Sequence, residues 1–316
     1  MKLHIKKIAA LCGAALLALG ALTGCGTPAQ DDGRLTVVTT VYASYDLAKQ
    51  LTAEFSTPAE VKLLLTPGGE SHSYEPTPSD TAAIQSCDLF VYIGGTSEKW
   101  AEKMIASSRT DKENLRLFDT VTLLGEEESE SMQAEEEEED DEFDEHIWTA
   151  PMNADKMADA MCKAIGALLP EESAKCDAAY DALHKELTAL DTEAKEIREN
   201  AKTDTLIFAD RFPFRYFTDA YGWKYDAAFS GCSSDTDASA ATLSALITKV
   251  KDQHIGTVFY LENSSQKVSD AVCEATGAKA VMLQSCNNVS REDFDSGKHY
   301  QDFMHENLDA IREAVS

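Results

Sequence analysis

The chain has 316 residues, with 28 Lys and Arg against 56 Asp and Glu, so its formal net charge is −28 at pH 7. This length allows one large or two medium domains, and a composition that is 43% hydrophobic is that of a globular protein. The acidic excess argues against nucleic-acid binding and against a basic membrane-binding surface, because both need clustered Lys and Arg. It is compatible with a protein that handles cations.

The N-terminus has the features of an export signal. Three lysines, at positions 2, 6 and 7, precede an uncharged apolar run, Ile8–Leu22. That run is too short for a transmembrane helix, which needs about 20 residues, but it suits the core of a secretory signal. The run ends Leu22-Thr23-Gly24-Cys25, which resembles a bacterial lipobox; the alternative is an ordinary signal peptide with a chance cysteine. The sequence predicts a signal peptide, residues 1–24, and a tether, residues 25–33, that begins at a lipid-modified Cys25.

Six cysteines remain in the predicted mature body, at positions 87, 162, 176, 232, 273 and 286. Export would permit disulfides, but six cysteines allow fifteen pairings and the sequence does not choose among them. There is no CxxC pair, which argues against a structural zinc site built from cysteines.

Short apolar, β-branched runs alternate with helical patterns along the chain. The runs are Leu35–Thr40, Val61–Leu65, Leu89–Ile93, Thr205–Ala209, Thr257–Leu261 and Ala280–Leu283. Such alternation is typical of βαβ units. The pattern therefore predicts an α/β fold with two mostly parallel sheets and flanking helices.

A long helix is predicted between the two sets of strands, from Pro170 to about Ala201, because no glycine or further proline interrupts this segment. One apolar stripe runs along it, formed by Leu183, Leu187, Leu190, Ala194 and Ile197. Two interpretations are open at this point. The helix is either an ordinary amphipathic helix that covers one lobe or a rigid strut that joins two lobes.

Two histidines lie in loops that contain proline and are flanked by carboxylates. His72 follows the second predicted strand, between Glu70 and Glu75, at the strand end where open α/β sheets bind ligands. His146 lies just before Pro151 and directly after an acidic stretch. Neutral imidazole is a good zinc ligand, and neighbouring carboxylates orient the ring. The pair predicts a metal site, although a single loop histidine is usually only a surface residue.

The acidic stretch, residues 126–145, contains 14 Asp and Glu and no Lys or Arg, so it accounts for half of the negative excess. It is either a disordered spacer or a segment that concentrates cations near the site. Its position directly before His146 favours the second interpretation.

Motifs spread over nearly the whole predicted mature chain indicate one family. The most specific is His72–Asp80, which reads His-Ser-Tyr-Glu-Pro-Thr-Pro-Ser-Asp. The others are Val37–Thr40, Tyr92–Gly95, Glu98–Trp100, Asp144–Trp148, Pro213–Phe217 and Tyr300–Leu308. Together they resemble the zinc- and manganese-type solute-binding lipoproteins of bacterial ABC importers.

The resemblance implies two α/β lobes joined by one long rigid helix, with the metal between the lobes. The corresponding boundaries are an N-terminal lobe, residues 34–169, a linking helix, residues 170–202, and a C-terminal lobe, residues 203–316. By position, His72 and His146 match the two imidazole ligands of the family's first lobe.

The second lobe departs from the family pattern. Arg211 stands where the family has a His or Glu, and arginine does not bind cations. The loop from Gln284 to Asn288 lacks the expected Asp or His. The acidic stretch matches a metal-attracting loop of the zinc branch, but that loop is usually rich in histidine. The candidates for the remaining ligands are Glu70, Asp210, Glu262 and Gln284.

Cys232 and Cys286 lie in loops that the resemblance places near the cleft. We predict a disulfide between them, with thiolate ligation of the metal as the alternative.

The resemblance implies an extracytoplasmic, lipid-anchored monomer on the outer face of the bacterial cytoplasmic membrane. It would bind Zn²⁺ as cargo and pass it to an ABC permease; it would make or break no bond, so it is not an enzyme, and it would bind no nucleic acid. Uptake of Mn²⁺ or iron(II) and a surface adhesion lipoprotein are the alternatives. A secreted metalloenzyme is disfavoured because the chain has no HExxH motif.

Overall fold

The computed structural model describes residues 33–69, 74–107, 112–133, 143–233 and 237–316. The predicted signal peptide, Cys25, Glu70 and His72 lie outside the described residues. No helix within the described ranges has both the length and the apolar composition needed to cross a bilayer.

The N-terminal lobe contains a parallel four-stranded sheet in the order β2-β1-β3-β4. Its strands are β1 (Leu35–Thr39), β2 (Ala59–Leu63), β3 (Leu89–Tyr92) and β4 (Glu113–Arg116). Its helices are α1 (Tyr42–Thr52), α2 (Pro78–Ser86), α3 (Lys99–Ser107) and α4 (Pro151–Leu168). The central strands β1 and β3 are mostly buried, as expected for parallel strands that are covered on both faces.

The C-terminal lobe repeats this arrangement, with a parallel sheet in the order β6-β5-β7-β8. Its strands are β5 (Thr205–Arg211), β6 (Lys224–Phe229), β7 (Thr257–Leu261) and β8 (Lys279–Leu283). Its helices are α6 (Arg215–Tyr221), α7 (Ala240–Asp252), α8 (Lys267–Thr276), α9 (Arg291–Ser296) and α10 (Tyr300–Val315). The predicted α/β fold with two parallel sheets is confirmed.

The helix α5 (Ser173–Asn200) lies between the two sheets in sequence and is about 42 Å long. Its buried side chains include the predicted stripe from Leu183 to Ile197. This stripe joins a hydrophobic core to which both lobes contribute, for example through Leu47 of α1 and Phe208 of β5. The two lobes are therefore joined by a continuous apolar core as well as by the helix.

Each sheet has a point at which the strand order reverses, between β1 and β3 in the first and between β5 and β7 in the second. Ligands of open α/β sheets bind in the crevice outside the carboxyl ends of such strands. Arg211 ends β5, and Glu262 follows β7 directly, so the second crevice begins with these two residues.

Candidate metal centre

A cavity of about 210 Å³ lies between the carboxyl edges of the two sheets. The N-terminal lobe lines it with Gly68, Gly69 and His146. The C-terminal lobe contributes several residues, among them Arg211, Glu262 and Asn287. The structure therefore brings a predicted histidine ligand and a predicted carboxylate ligand to one cavity.

His146 is 1% exposed and is oriented by the carboxylate two residues before it. Oδ1 of Asp144 accepts a hydrogen bond from the backbone N–H of His146 at 2.8 Å and lies 3.2 Å from its Nδ1. A carboxylate on one ring nitrogen fixes the tautomer and leaves the other nitrogen as the metal-binding one. Nε2 is therefore the atom through which His146 would bind a metal.

The C-terminal lobe holds the segment around His146 in place. The hydroxyl of Tyr216 donates to the carbonyl oxygen of Asp144 at 3.0 Å, and Nε1 of Trp148 donates to that of Ser285 at 2.7 Å. The hydroxyl of Tyr300 donates to the carbonyl oxygen of Trp148 at 2.6 Å. The predicted first-lobe ligand His146 thus lies in a segment that second-lobe groups hold in place.

Two opposing effects act on the His146 imidazole. Burial alone would lower the pKa of His146, but the negative charges of Asp144, Glu145 and Glu126 outweigh it and raise that pKa above its ordinary value. The site therefore favours positive charge, whether a proton or a metal ion.

The buried carboxylate of Glu145 is occupied by hydrogen bonds within the protein. Its carboxylate accepts hydrogen bonds from the backbone N–H of Ser97 at 2.7 Å and from the hydroxyl of Thr96 at 3.2 Å. A Cβ atom on Gly95 would overlap this carboxylate, so a larger residue there would displace it. Glu145 thus anchors the chain just before His146.

Glu262, which is half-buried, lines the cavity. It accepts hydrogen bonds from the backbone N–H of Ser285, at 2.8 Å, and from the Ser285 hydroxyl. Burial raises the pKa of Glu262 to about 7, while the hydrogen bonds from Ser285 and the charge of Arg211 act in the opposite direction. A cation in the cavity would favour the ionised form.

The side-chain oxygens of Asp210 and Gln284 accept hydrogen bonds from the backbone. The two oxygens of Asp210 accept hydrogen bonds from the backbone N–H groups of Arg211, at 2.9 Å, and Leu261, at 3.1 Å. Oε1 of Gln284 accepts one from the backbone N–H of Cys286 at 3.2 Å. Neither side chain lines the cavity that contains His146 and Glu262.

The predicted disulfide is not supported, because all six cysteines of the described chain are free thiols. Cys286 is fully buried in the core shared by the lobes, whereas Cys232 is partly exposed beside Glu126 and Glu145. The two thiols thus occupy different surroundings. Burial raises the pKa of both thiols well above the ordinary value, which keeps them protonated at neutral pH.

We expect the mature protein, purified without reductant and then denatured, to contain six titratable thiols. Mass spectrometry of the non-reduced protein with thiol alkylation would count them. Four or fewer alkylated cysteines, with Cys232 and Cys286 both among the protected ones, would show that the disulfide forms.

The acidic stretch divides into parts with different surroundings. Residues 126–133, here named the strap, lie against the C-terminal lobe, with Glu127 paired to Arg215 at 3.0 Å and Glu130 to Lys249 at 2.8 Å. Asp144 and Glu145 are buried beside His146. Residues 134–142 lie outside the described part of the chain. The described residues at the two ends of the acidic stretch are therefore held against the folded protein.

No group of three or more His, Cys, Asp or Glu side chains that could hold a metal occurs among the described residues. His72 and Glu70 fall outside the described residues. Of the predicted ligands, the described part of the cavity therefore contains only His146 and Glu262. Sequence reasoning missed Ser285 and Trp148 as supports of these two residues. The sequence placed both residues in loops near the cleft. It could not give their hydrogen-bond partners, because these depend on the tertiary fold.

The comparisons with known proteins agree with this geometry. The family model named zinc-uptake complex component A periplasmic (ZnuA) matches residues 37–314. The chain belongs to the ZnuA family.

Two relatives show the extent of the similarity. The zinc-binding lipoprotein AdcA of Streptococcus pneumoniae is 32% identical over 314 residues, which cover 98% of this chain and 61% of AdcA. The high-affinity zinc uptake system protein ZnuA of Bacillus subtilis is 31% identical over 315 residues, which cover 98% of this chain and 96% of that protein. The chain thus spans about three fifths of the length of AdcA.

Two solved structures share the fold of this chain. The Zn(II)-bound ZnuA-like domain of S. pneumoniae AdcA superposes with a TM-score of 0.75 and 28% identity, covering 90% of this chain and 99% of that chain. The metal-dependent lipoprotein YcdH from B. subtilis gives a TM-score of 0.75 and 27% identity, covering 89% and 100%.

Proposed function

We propose that this protein captures Zn²⁺ in the cavity between its lobes and delivers it to an ABC permease. The observation that carries the proposal is the buried His146, held at Nδ1 by Asp144 and lining the same cavity as Glu262. Family membership and the zinc-binding relatives support it. Capture and release require no bond to be made or broken, so the role is that of a binding protein rather than an enzyme.

We propose His72, His146 and Glu262 as the zinc ligands, with Glu70 or water completing the shell. Asp210 and Gln284 are weaker candidates because their oxygens already accept backbone hydrogen bonds. Two imidazoles and a carboxylate suit zinc better than Mn²⁺, which prefers oxygen ligands.

The remaining parts of the proposal concern location. A lipid on Cys25 would hold the protein, as a monomer, on the outer face of the cytoplasmic membrane close to its permease. The carboxylates of residues 126–145 would raise the local concentration of cations beside the cavity.

The proposal is tested by competition titration of the metal-free protein against chromophoric chelators, with Zn²⁺, Mn²⁺ and Fe²⁺ in parallel. We expect one tightly bound Zn²⁺ per chain and much weaker binding of the other two ions. Tighter binding of Mn²⁺ or Fe²⁺ would identify that ion, rather than Zn²⁺, as the cargo. The absence of stoichiometric metal would favour a surface adhesion lipoprotein.

Zinc affinity is expected to fall as the pH is lowered. Zinc needs the neutral imidazole, and the pKa of His146 is raised, so a proton competes for this ring already at a pH above about 6.5, the ordinary histidine value. Titrations from pH 8 to pH 5 would show the decline. An affinity that stays constant over this range would contradict ligation by His146.

A further inference from the structure

Ser285 holds the carboxylate of Glu262 at both of its oxygens. The backbone N–H of Ser285 donates to Oε2 at 2.8 Å, and its hydroxyl donates to Oε1. The terminal torsion of a glutamate is soft, so a carboxylate with one donor can rotate, whereas two donors on two oxygens fix its plane. Ser285 is 5% exposed and lines the same cavity as Glu262. It therefore sets the orientation in which the carboxylate faces the cavity.

The direction of the Ser285 hydroxyl is fixed as well. Its oxygen accepts a hydrogen bond from the backbone N–H of Asn287 at 3.1 Å. A hydroxyl has a single hydrogen, and with the oxygen accepting from Asn287 this hydrogen is directed at Glu262. The hydroxyl thus donates to the ionised carboxylate, which is the form that binds a cation.

The strand register brings Ser285 to Glu262. Strands β7 and β8 are parallel neighbours, with Leu261 opposite Leu283. Glu262 is the first residue after β7 and Ser285 is the second residue after β8. Both residues therefore emerge at the carboxyl edge of the second sheet, where the cavity lies.

The backbone around Ser285 is held by both lobes and independently of the hydroxyl. The side chain of Asn307, in α10, accepts from the N–H of Gln284 and donates to its carbonyl oxygen, each at 2.8 Å. The N–H of Ala43, in the first turn of α1, donates to the carbonyl oxygen of Cys286 at 3.0 Å. Removal of the hydroxyl would leave these bonds in place. Its effect would fall on the carboxylate that the hydroxyl holds.

Ser285 is also tied to the segment that carries His146. Its carbonyl oxygen accepts from Nε1 of Trp148 at 2.7 Å. Trp148 follows His146 by two positions, and the centroids of their rings lie 5.5 Å apart in an edge-on arrangement. Ser285 therefore connects Glu262 of the second lobe to the His146 segment of the first.

We propose that Ser285 is a positioning residue for the metal site, which sets the carboxylate of Glu262 relative to the imidazole of His146. This inference rests on the proposed function. A group that orients a metal ligand without touching the metal typically changes metal affinity by about 10–100-fold when it is removed. Its loss is felt mainly as weaker binding of the metal, because the surrounding backbone is held by other bonds.

The test is Ser285→Ala, which removes the hydroxyl and keeps the backbone N–H and carbonyl oxygen. We expect zinc affinity, measured by competition against a chelator, to fall by about 10–100-fold. The visible spectrum of bound Co²⁺ should also change, because it reports the number and geometry of the ligands. Ser285→Gly makes the same deletion, and it decides the matter if the alanine variant does not fold.

The matched control is Ser131→Ala. The N–H and the hydroxyl of Ser131 hold one buried carboxylate in the same way, donating to Oδ1 and Oδ2 of Asp226 at 3.0 and 2.7 Å. Ser131 is 4% exposed but does not line the cavity, and the substitution keeps every carboxylate of the strap. Urea unfolding should show similar losses of stability in the two alanine variants. Only Ser285→Ala should lose zinc affinity and change the Co²⁺ spectrum.

A double variant shows whether Ser285 acts through Glu262. We expect Glu262→Ala to lower zinc affinity by more than Ser285→Ala does. The double variant should then bind zinc no more weakly than Glu262→Ala alone, because the carboxylate that the hydroxyl orients is already absent. Side chains that act independently would instead give additive losses of binding free energy.

The possible outcomes separate the two proposals. Wild-type zinc affinity in Ser285→Ala, an equal loss in Ser131→Ala, or additive losses with Glu262→Ala would overturn the positioning role and leave zinc capture standing. Absence of tight zinc binding in the wild-type protein would overturn the proposed function and this inference with it.

Discussion

His146→Ala is expected to lower zinc affinity by more than about 100-fold, because even outer-shell groups cost about 10–100-fold and this residue is proposed as a direct ligand. The substitution removes the buried imidazole that Asp144 orients, while the carboxylates of Asp144 and Glu145 remain. Competition titration against a zinc chelator at neutral pH measures the loss.

The matched control is His184→Ala. Nδ1 of His184 lies 2.8 Å from Oδ1 of Asp155, so it forms a histidine–carboxylate pair of the same kind, but this pair joins α5 to α4 away from the cavity. Its zinc affinity should equal that of the wild type. Retention of wild-type affinity by His146→Ala would refute the site.

Asp226→Ala is expected to lower the free energy of unfolding by about 3–5 kcal/mol, the usual cost of removing one partner from a buried charged network. Asp226 is fully buried and fixes the strap. Its carboxylate accepts hydrogen bonds from the Ser129 hydroxyl at 2.6 Å, and from the N–H and hydroxyl of Ser131 at 3.0 and 2.7 Å. The ammonium group of Lys249 lies 3.4 Å away. Urea unfolding would measure the change.

Asp204→Ala is the control for this prediction. Asp204 pairs with Lys224 at 2.8 Å on the surface, where an ion pair contributes at most about 1 kcal/mol. A loss for Asp226→Ala no larger than that of the control would show that the strap is held by other contacts. In that case residues 126–133 would detach without destabilising the protein.

The central strands could be predicted from sequence because a strand buried on both faces needs a continuous apolar run. The long helix could be predicted because a helix with one buried face carries an apolar stripe. Strands β4 and β6 were not predicted. They are edge strands, and Glu113–Arg116 and Lys224–Phe229 carry polar residues that break the apolar pattern. The other two edge strands, β2 and β8, were predicted because apolar runs mark them.

The candidate site shows the same division. His146 was predicted from its acidic flank and its loop, both of which are local features. The distinction between Glu262, which lines the cavity, and Asp210, which accepts two backbone hydrogen bonds, depends on how β5 and β7 are placed. The pairing of Cys232 with Cys286 failed for a similar reason, since two loops near one cleft do not bring two thiols into the same surroundings.

The most direct test of the account is a crystal of the zinc-loaded protein with diffraction measured on both sides of the zinc absorption edge. We predict one strong anomalous peak in the cavity between the lobes, about 2.0–2.1 Å from Nε2 of His146, with the Glu262 carboxylate among the other ligands. A zinc ion bound elsewhere, for example at the surface pair of His305 and Glu193, with this cavity empty, would contradict the account.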